Sequence, residues 1–362
     1  MPVPHTDSAP GDSMPATSSP TPQKAPAHAQ TSPLHAIALL FERQPGLASV
    51  LCLLLVCVLT FSLCAPSFLS VTNLLTILRQ NAAAFISATA MTLVITTGGI
   101  DLSIGAVAAF SGIIMAVLAT FWHVPPALAL AGALLAGMAA GTANGLLITR
   151  VGMAPFIVTL ATMSVFRGLS LLIAQGYSLP LPENAPLLEW PGRGWIGPVP
   201  VPALIMLACV AAGSITLHRT RFGRYITGIG SNQEGVRRTG VNVRRISLTV
   251  YALSGLAAAL SGILMTGRLG SASSNIGVGF ELDVIAAVVL GGTSLTGGYG
   301  TVIGSALGIL TLACLKNGLI LAHVSPFLTQ IFTGLITIGA IWINMSLKGR
   351  DLFGIRKNGD DN

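Results

Sequence analysis

Nine apolar runs separated by polar or glycine- and proline-rich breaks dominate the chain, near 46–66, 81–97, 103–121, 126–148, 155–174, 200–217, 247–267, 300–322 and 326–347. About 20 apolar residues in a helix cross roughly 30 Å of hydrocarbon, so each run predicts a membrane helix. A further run, Val284 to Leu290, is too short to cross. It spans only about 10 Å as helix and reads as half of a broken or re-entrant helix that runs on through the glycines after Leu290. The expected fold is all-α, a polytopic membrane protein with about ten transmembrane segments counting the broken one.

Composition agrees: 52% of the 362 residues are hydrophobic and 9% charged, against roughly 25% charged in a soluble domain. The net charge of +7 comes mostly from basic residues between apolar runs, a pattern that membrane topology explains without nucleic acid. Arg219, Arg221, Arg224, Arg237, Arg238, Arg244 and Arg245 crowd one polar stretch, offset only by Glu234. The positive-inside rule puts residues 218–246 in the cytoplasm. With an even count of spans both termini lie on that side, the C-terminus with Lys348, Arg350, Arg356 and Lys357. The opposite face receives the 175–199 loop and the stretch holding Arg268, Glu281 and Asp283, and is nearly neutral.

Residues 1–43 are rich in Pro, Ser, Thr, Ala and His without apolar periodicity, the composition of a disordered cytoplasmic tail. No short apolar core follows an early basic region, which argues against a cleaved signal peptide. Residues 44–347 form the transmembrane domain and 348–362 a cytoplasmic C-terminal tail. The five cysteines lie in or beside apolar runs without CxxC spacing and read as buried thiols.

Many of the 41 glycines sit at small-residue spacings, such as Gly132, Gly137 and Gly141, that allow close helix packing. An internal echo links Gly98-Gly99 to Gly291-Gly292 at an offset of 193 residues. Asn144-Gly145 and Pro155-Phe156 echo Asn317-Gly318 and Pro326-Phe327 at 173 and 171, a pattern of ancient duplication.

Three places are candidates for chemistry. Gly98, Gly99, Asp101 and Ser103 interrupt two apolar segments. An acid at that depth costs about 2.5–3.5 kcal/mol on insertion scales, so it has a role. Asp101 either contacts a polyhydroxylated solute in a water-filled path or caps the following helix while the glycines turn the chain; the two roles are compatible. Glu281 and Asp283, before the short apolar piece, either meet a soluble partner or polar solute at the outer mouth or stabilise a helix N-terminus. In the arginine-rich loop, Asn232 is placed to cap a short helix ending before Gly240, a helix suited to docking on a partner.

A Walker A loop needs glycine directly before its lysine, and Lys24, Lys316, Lys348 and Lys357 follow Gln, Leu, Leu and Arg, so this chain has no such ATP site. HExxH and GxSxG patterns are absent, the isolated His123, His218 and His323 read as interfacial, and nothing points to an enzyme or a bound metal.

The stretches TTGGIDLSIGAVAAFSG at 96–112, GRYITGIGSNQEGVRRTGVNV at 223–243 and ELDVIAAVVLGGTSLTGGYGTVIGSALG at 281–308 together resemble the permease subunit of ribose/xylose-type sugar ABC importers over roughly 46–347. The third stretch is partly shared with branched-chain amino acid permeases, whereas GGIDLS looks like the sugar branch. The resemblance implies a bacterial inner-membrane permease carrying a sugar or related polyol inward by alternating access. Its partners would be a second permease copy or homologue, a cytosolic ATPase with two nucleotide sites that binds ATP and magnesium, and a periplasmic sugar-binding protein.

On that resemblance Gly98, Gly99, Asp101 and Ser103 shape the path, and Gly230, Asn232, Glu234, Arg237, Arg238 and Gly240 form the ATPase-coupling segment. Where the family usually has an acidic pair and then Ala-Ala-Arg, this chain has Gln233-Glu234-Gly235-Val236-Arg237. The extra glycine loosens that helix by roughly 0.5–1 kcal/mol relative to alanine. Alternatives of the same architecture import a nucleoside, a branched-chain amino acid or an autoinducer-2-like furanone. An ion-driven secondary transporter with Asp101 as its titrating group is another class, and a structural or scaffolding membrane protein a third.

Overall fold

The computed structural model describes residues 45–348, so the expected tails, 1–43 and all but the first residue of 348–362, lie outside the described residues. Twelve α-helices follow in order: α1 Pro45–Cys64, α2 Val71–Thr96, α3 Ile104–Thr120, α4 Pro126–Leu146 with a π-helical turn Leu147–Val151, α5 Pro155–Ala174, α6 Pro186–Arg193, α7 Val201–Arg219, α8 Arg221–Arg238, α9 Val243–Leu269, α10 Phe280–Leu290, α11 Val302–Leu321 and α12 Pro326–Lys348. Four two-residue strands form two antiparallel pairs, β1 (Leu179–Pro180) with β4 (Ser271–Ala272) and β2 (Trp195–Ile196) with β3 (Val199–Pro200).

A helix stands at each of the ten predicted apolar places. Among the described residues six, α1, α4 with its π turn, α5, α7, α9 and α11, are long and apolar enough to cross a membrane. The chain is therefore a multi-pass membrane protein. α3 and the Pro326–Gly339 part of α12 are shorter apolar helices, and α10 has only 11 residues. α2 begins ten residues before its apolar run. Ser70 caps it by accepting the Asn73 amide at 3.2 Å, and the polar turns from Thr72 to Asn81 carry the helix into a buried stretch from Ala82 to Thr96 that lacks only Ala84.

The bundle is arranged around α9. α4 lies antiparallel to it in backbone contact, Gly145 against Leu248, Gly141 against Tyr251 and Gly255, and Gly137 against Gly255 and Ala259. Gly132 faces only the Leu118 side chain. α3 runs parallel to α9, with Ala108 on Gly262 and Gly112 on Thr266. α2 runs antiparallel: Arg268 donates to the Gln80 carbonyl at 2.9 Å, and Ser261 donates to the Ala83 carbonyl at 2.9 Å and meets the Ser87 hydroxyl at 2.8 Å. Small residues let these backbones approach where lipid supplies no hydrophobic drive between helices.

Helices α2–α5 and α9–α12 repeat one order in opposite direction, a long helix, then a shorter one of 17 or 11 residues, then two more, the mark of an inverted duplication. Thr96 and Leu269 end α2 and α9, Ile104 and Phe280 start α3 and α10, and Pro155 and Pro326 start α5 and α12, at offsets of 173, 176 and 171 residues. The Asn-Gly and Pro-Phe echoes fall at matching places. The double-glycine echo does not: Gly98 follows α2, whereas Gly291 follows α10, the counterpart of α3. Its likeness is local, because both helices close on a residue with ψ near zero, Thr97 and Gly291, followed by glycine at φ 84° and 92°. The amides then fold back identically, Gly98 to Ile95 and Gly99 to Val94, Gly292 to Val289 and Thr293 to Val288.

Two other expectations change. The 175–199 loop holds α6, whose Gly192 lies against the α9 backbone at Leu264, Gly267 and Arg268. Of the cysteines, all of them free, Cys57 and Cys314 are buried while Cys52 and Cys64 on α1 are exposed.

The α4–α9 seam gives a test. A Cβ on Gly141 would strike the Tyr251 carbonyl and the Gly255 backbone, while one on Gly168, in α5, meets nothing within 4 Å. Gly141→Val is expected to lose about 1–3 kcal/mol or more by overpacking, and Gly168→Ala to gain up to about 1 kcal/mol from helix propensity. Thermal unfolding in detergent checks both, and equal midpoints for the two variants would refute the packing register.

Candidate functional site

The break between α2 and α3 is closed by polar side chains from four segments. Asp101, 1% exposed, accepts from the Ser103 amide at 3.0 Å and the Ser103 hydroxyl at 2.6 Å on one oxygen, and from the Ser254 hydroxyl of α9 at 2.7 Å on the other. Asn144 of α4 donates to Ser103 Oγ at 2.9 Å, and Thr159 of α5 to the Ile100 carbonyl at 3.1 Å. Asp101 thus fixes Ser103, the residue before α3, and does not reach the free amides of the helix's first turn, so the expected cap is replaced by a bond one step earlier. Neither Asp101 nor Ser103 faces an open path in this conformation, because both are buried. Gly99 lies beneath the Tyr251 hydroxyl, where a Cβ would collide, and Gly98 is exposed. The Tyr251 hydroxyl and Asn144 Oδ1 have no hydrogen-bond partner among the described residues.

The second break lies between α9 and α10, one segment before the place the glycine cluster suggested. After Leu269 the chain returns along the bundle, so that Gly277 and Glu281 meet Gly105 in the first turn of α3. Two half-helix N-termini therefore face each other. Arg167 of α5 holds the intervening segment, donating from Nη1 to the carbonyls of Ser274 and Ile276, the latter at 2.9 Å, and from Nη2 to Gly277 at 3.4 Å. Glu281 is buried, which is not how a carboxylate offered to a soluble partner at an outer mouth would sit. Asp283 is exposed and pairs with Lys316 of α11 at 2.6 Å.

The arginine-rich segment is helical through most of its length rather than a loop. Thr220 accepts the Gly223 amide at 3.2 Å and starts α8 directly after α7, and Gly223, Ile226 and Ile229 bury one side of it. At Asn232 the backbone turns extended (φ −157°, ψ 92°). The Asn232 side chain then accepts the Gly235 amide at 2.8 Å, and the helix closes with Gly240 at φ 82° bonding Arg237. The Asn232-to-Gly240 cap pair is as the sequence suggested, but it continues a longer helix. All seven arginines are exposed. Glu234 pairs with Arg237 at 2.9 Å and Arg238 at 3.3 Å, contacts worth at most about 1 kcal/mol in water, so the face stays strongly basic.

Residue patterns alone missed Asn144, Tyr251, Ser254 and Arg167. Only Arg167 carried a signal, as a charge inside a predicted span. No cluster of metal-binding side chains occurs among the described residues.

The three donors on Asp101 set an order of stability. Asp101→Asn keeps an acceptor for Ser103 and an amide to meet Ser254, and is expected to cost about 1–2 kcal/mol. Asp101→Leu leaves those buried donors unpaired at about 1–3 kcal/mol each. Detergent unfolding midpoints falling equally in the two variants would contradict this hydrogen-bond geometry.

The chain matches the family described as branched-chain amino acid transport system / permease component over residues 73–341. It is 42% identical to the ribose import permease protein of Bacillus subtilis (strain 168), over 80% of this chain and 90% of that one. It is 40% identical to the ribose import permease protein of Escherichia coli (strain K12), over 80% and 91%. With the L-arabinose ABC transporter permease protein of Azospirillum brasilense the identity is 32%, over 81% and 86%. No solved structure matches. Matched along most of its length by the family and by full-length relatives, the chain belongs to the permease components of this transport-system family.

Proposed function

We propose that the chain is the membrane-embedded permease subunit of an ATP-binding cassette importer carrying an aldopentose such as ribose from periplasm to cytoplasm. The observation that carries this reading is the 42% identity covering 90% of a ribose import permease protein. A relative named for L-arabinose, also an aldopentose, supports the class. On this reading ATP and magnesium bind a separate cytosolic ATPase with two nucleotide sites, which agrees with the missing Walker lysine. A second permease copy or homologue completes the pore, and a periplasmic binding protein delivers the sugar.

On this reading residues 218–246 and both termini face the cytoplasm, an orientation supported by the seven exposed arginines through the positive-inside rule. Residues Asn232 to Gly240, with Glu234, Arg237 and Arg238 at the surface, are the docking element for the ATPase. The break at Gly98, Gly99, Asp101 and Ser103 shapes the path, and in an open conformation Tyr251 and Asn144 offer unpaired polar atoms to sugar hydroxyls. Glu281, buried at the start of α10, is left out of the outer mouth, and Asp283, paired with Lys316, remains for it.

The family's name makes branched-chain amino acids the competing cargo. Uptake by the complete complex in proteoliposomes, offered labelled ribose, L-arabinose and leucine in parallel, decides between them; pentose uptake is expected, and ATP-dependent leucine uptake alone would overturn the sugar reading. Reversing Arg237 and Arg238 to Glu is expected to leave insertion intact and to detach the ATPase, since breaking close interface charge pairs costs about 2–5 kcal/mol. Co-purification and sugar-stimulated hydrolysis measure it, and normal values for both would remove the docking role.

A further inference from the structure

We propose that Gly230 transmits ATPase docking to the α2–α3 break through direct backbone contact, making the glycines around it positioning residues for transport. The inference rests on the reading of α8 as the ATPase-docking element and adds the route by which its movement reaches the pathway.

Three separate glycine segments converge on one point. The carbonyl of Thr96, in the last residue of α2, accepts the amide of Gly298, from the turn after α10, at 3.0 Å. Gly230 lies over that bond. A Cβ there would strike both the Thr96 carbonyl and the Gly298 amide, with the Gly297 carbonyl carbon 3.1 Å away. A Cβ on Gly297 would in turn lie 3.0 Å from the Cα atoms of both Gly230 and Gly98, and one on Gly298 would lie 2.5 Å from Ser231 Oγ. No flexible side chain separates α8 from the break, so displacement of one backbone displaces the other.

The position of Gly230 along α8 gives this contact its purpose. Before it, Ile226 and Ile229 anchor the helix in the bundle, and two residues after it the backbone kinks at Asn232 into the exposed basic segment. A force on Arg237 and Arg238 therefore reaches the membrane domain two residues past the kink. On the other side of the contact Gly98 is three residues from Asp101, whose hydrogen bonds to Ser103 and Ser254 join α3 to α9. Glycine at 230 lets the arginine face and the Asp101 network move as one body.

Gly230→Ala is the test, with Gly228→Ala as its control, whose Cβ meets only the movable Val236 side chain. In the reconstituted complex Gly230→Ala is expected to keep ATPase co-purification and basal hydrolysis while ribose uptake and its stimulation of hydrolysis fall by about tenfold or more, the scale of an allosteric coupling. Gly228→Ala keeps all four. Wild-type stimulation in Gly230→Ala would overturn the proposal and leave the permease reading standing. Failure of the unaltered chain to bind any ATPase would defeat that underlying reading instead. If Gly230→Ala does not fold, hydrogen exchange in the unaltered complex decides. Nucleotide is expected to change exchange over 96–101 and 296–299 together with 232–238, and a change confined to 232–238 would refute the route.

Discussion

A helix that stops inside a membrane leaves terminal amides and carbonyls with no water to meet them, and each unpaired group costs several kcal/mol there. Most of the unusual residues of this chain answer that constraint. At the end of α2 the chain turns through left-handed Gly98 and folds its amides back onto Ile95 and Val94. The start of α3 is held by Asp101, and Asp101 by Ser103 and Ser254. Ahead of α10, the guanidinium of Arg167 gathers the carbonyls of Ser274, Ile276 and Gly277, the last of which also takes the Phe280 amide. A planar group with five donors suits that task, and a lysine would not span it.

The same constraint explains why glycine is spent at helix crossings. Polar bonds such as Ser87 to Ser261, or Thr92 to Ser305 at 2.7 Å, need backbones close enough for short side chains to reach. Gly137 and Gly141 against Gly255, and Gly262 against Ala108, supply the approach between α9 and its neighbours. Packing and hydrogen bonding are therefore one design: a side chain added at the seams separates the helices and opens the bonds.

How far this was legible in the sequence follows from what each signal measures. Apolar run length reports lipid or core contact, so the spans appeared nearly at their true bounds. The first turns of α2 did not, because Asn73 is hydrogen-bonded to Phe68 and Asn317, the Gln80 carbonyl to Arg268, and Arg79 lies over the Trp195 ring, contacts that apolar run length does not report. Asn232 and Gly240 were legible because caps are local chemistry. Arg221 to Ser231 read as loop, since its helix rests on only a few buried contacts such as Ile226 and Ile229. The double-glycine echo misled because left-handed helix ends demand glycine wherever they occur, ancestry apart. Ser254 and Asn144 looked like ordinary small polar residues of membrane helices; their meeting with Asp101 is a fact of tertiary structure.

The two breaks are symmetric in position but not in attachment. Each places an acid at a half-helix start, Asp101 before α3 and Glu281 in the first turn of α10. The segment ahead of Glu281 is tethered to α5 through Arg167. Asp101 instead binds Ser254 of α9, the helix that continues from the basic face, and its loop reaches Gly230 of α8 through Gly98 and Gly297. A duplicated fold that must respond to a partner on one side of the membrane has reason to differ in this way. On the coupling proposed for Gly230, the break joined to the basic helix moves with that helix, and Arg167 gives the other break a separate anchor on α5.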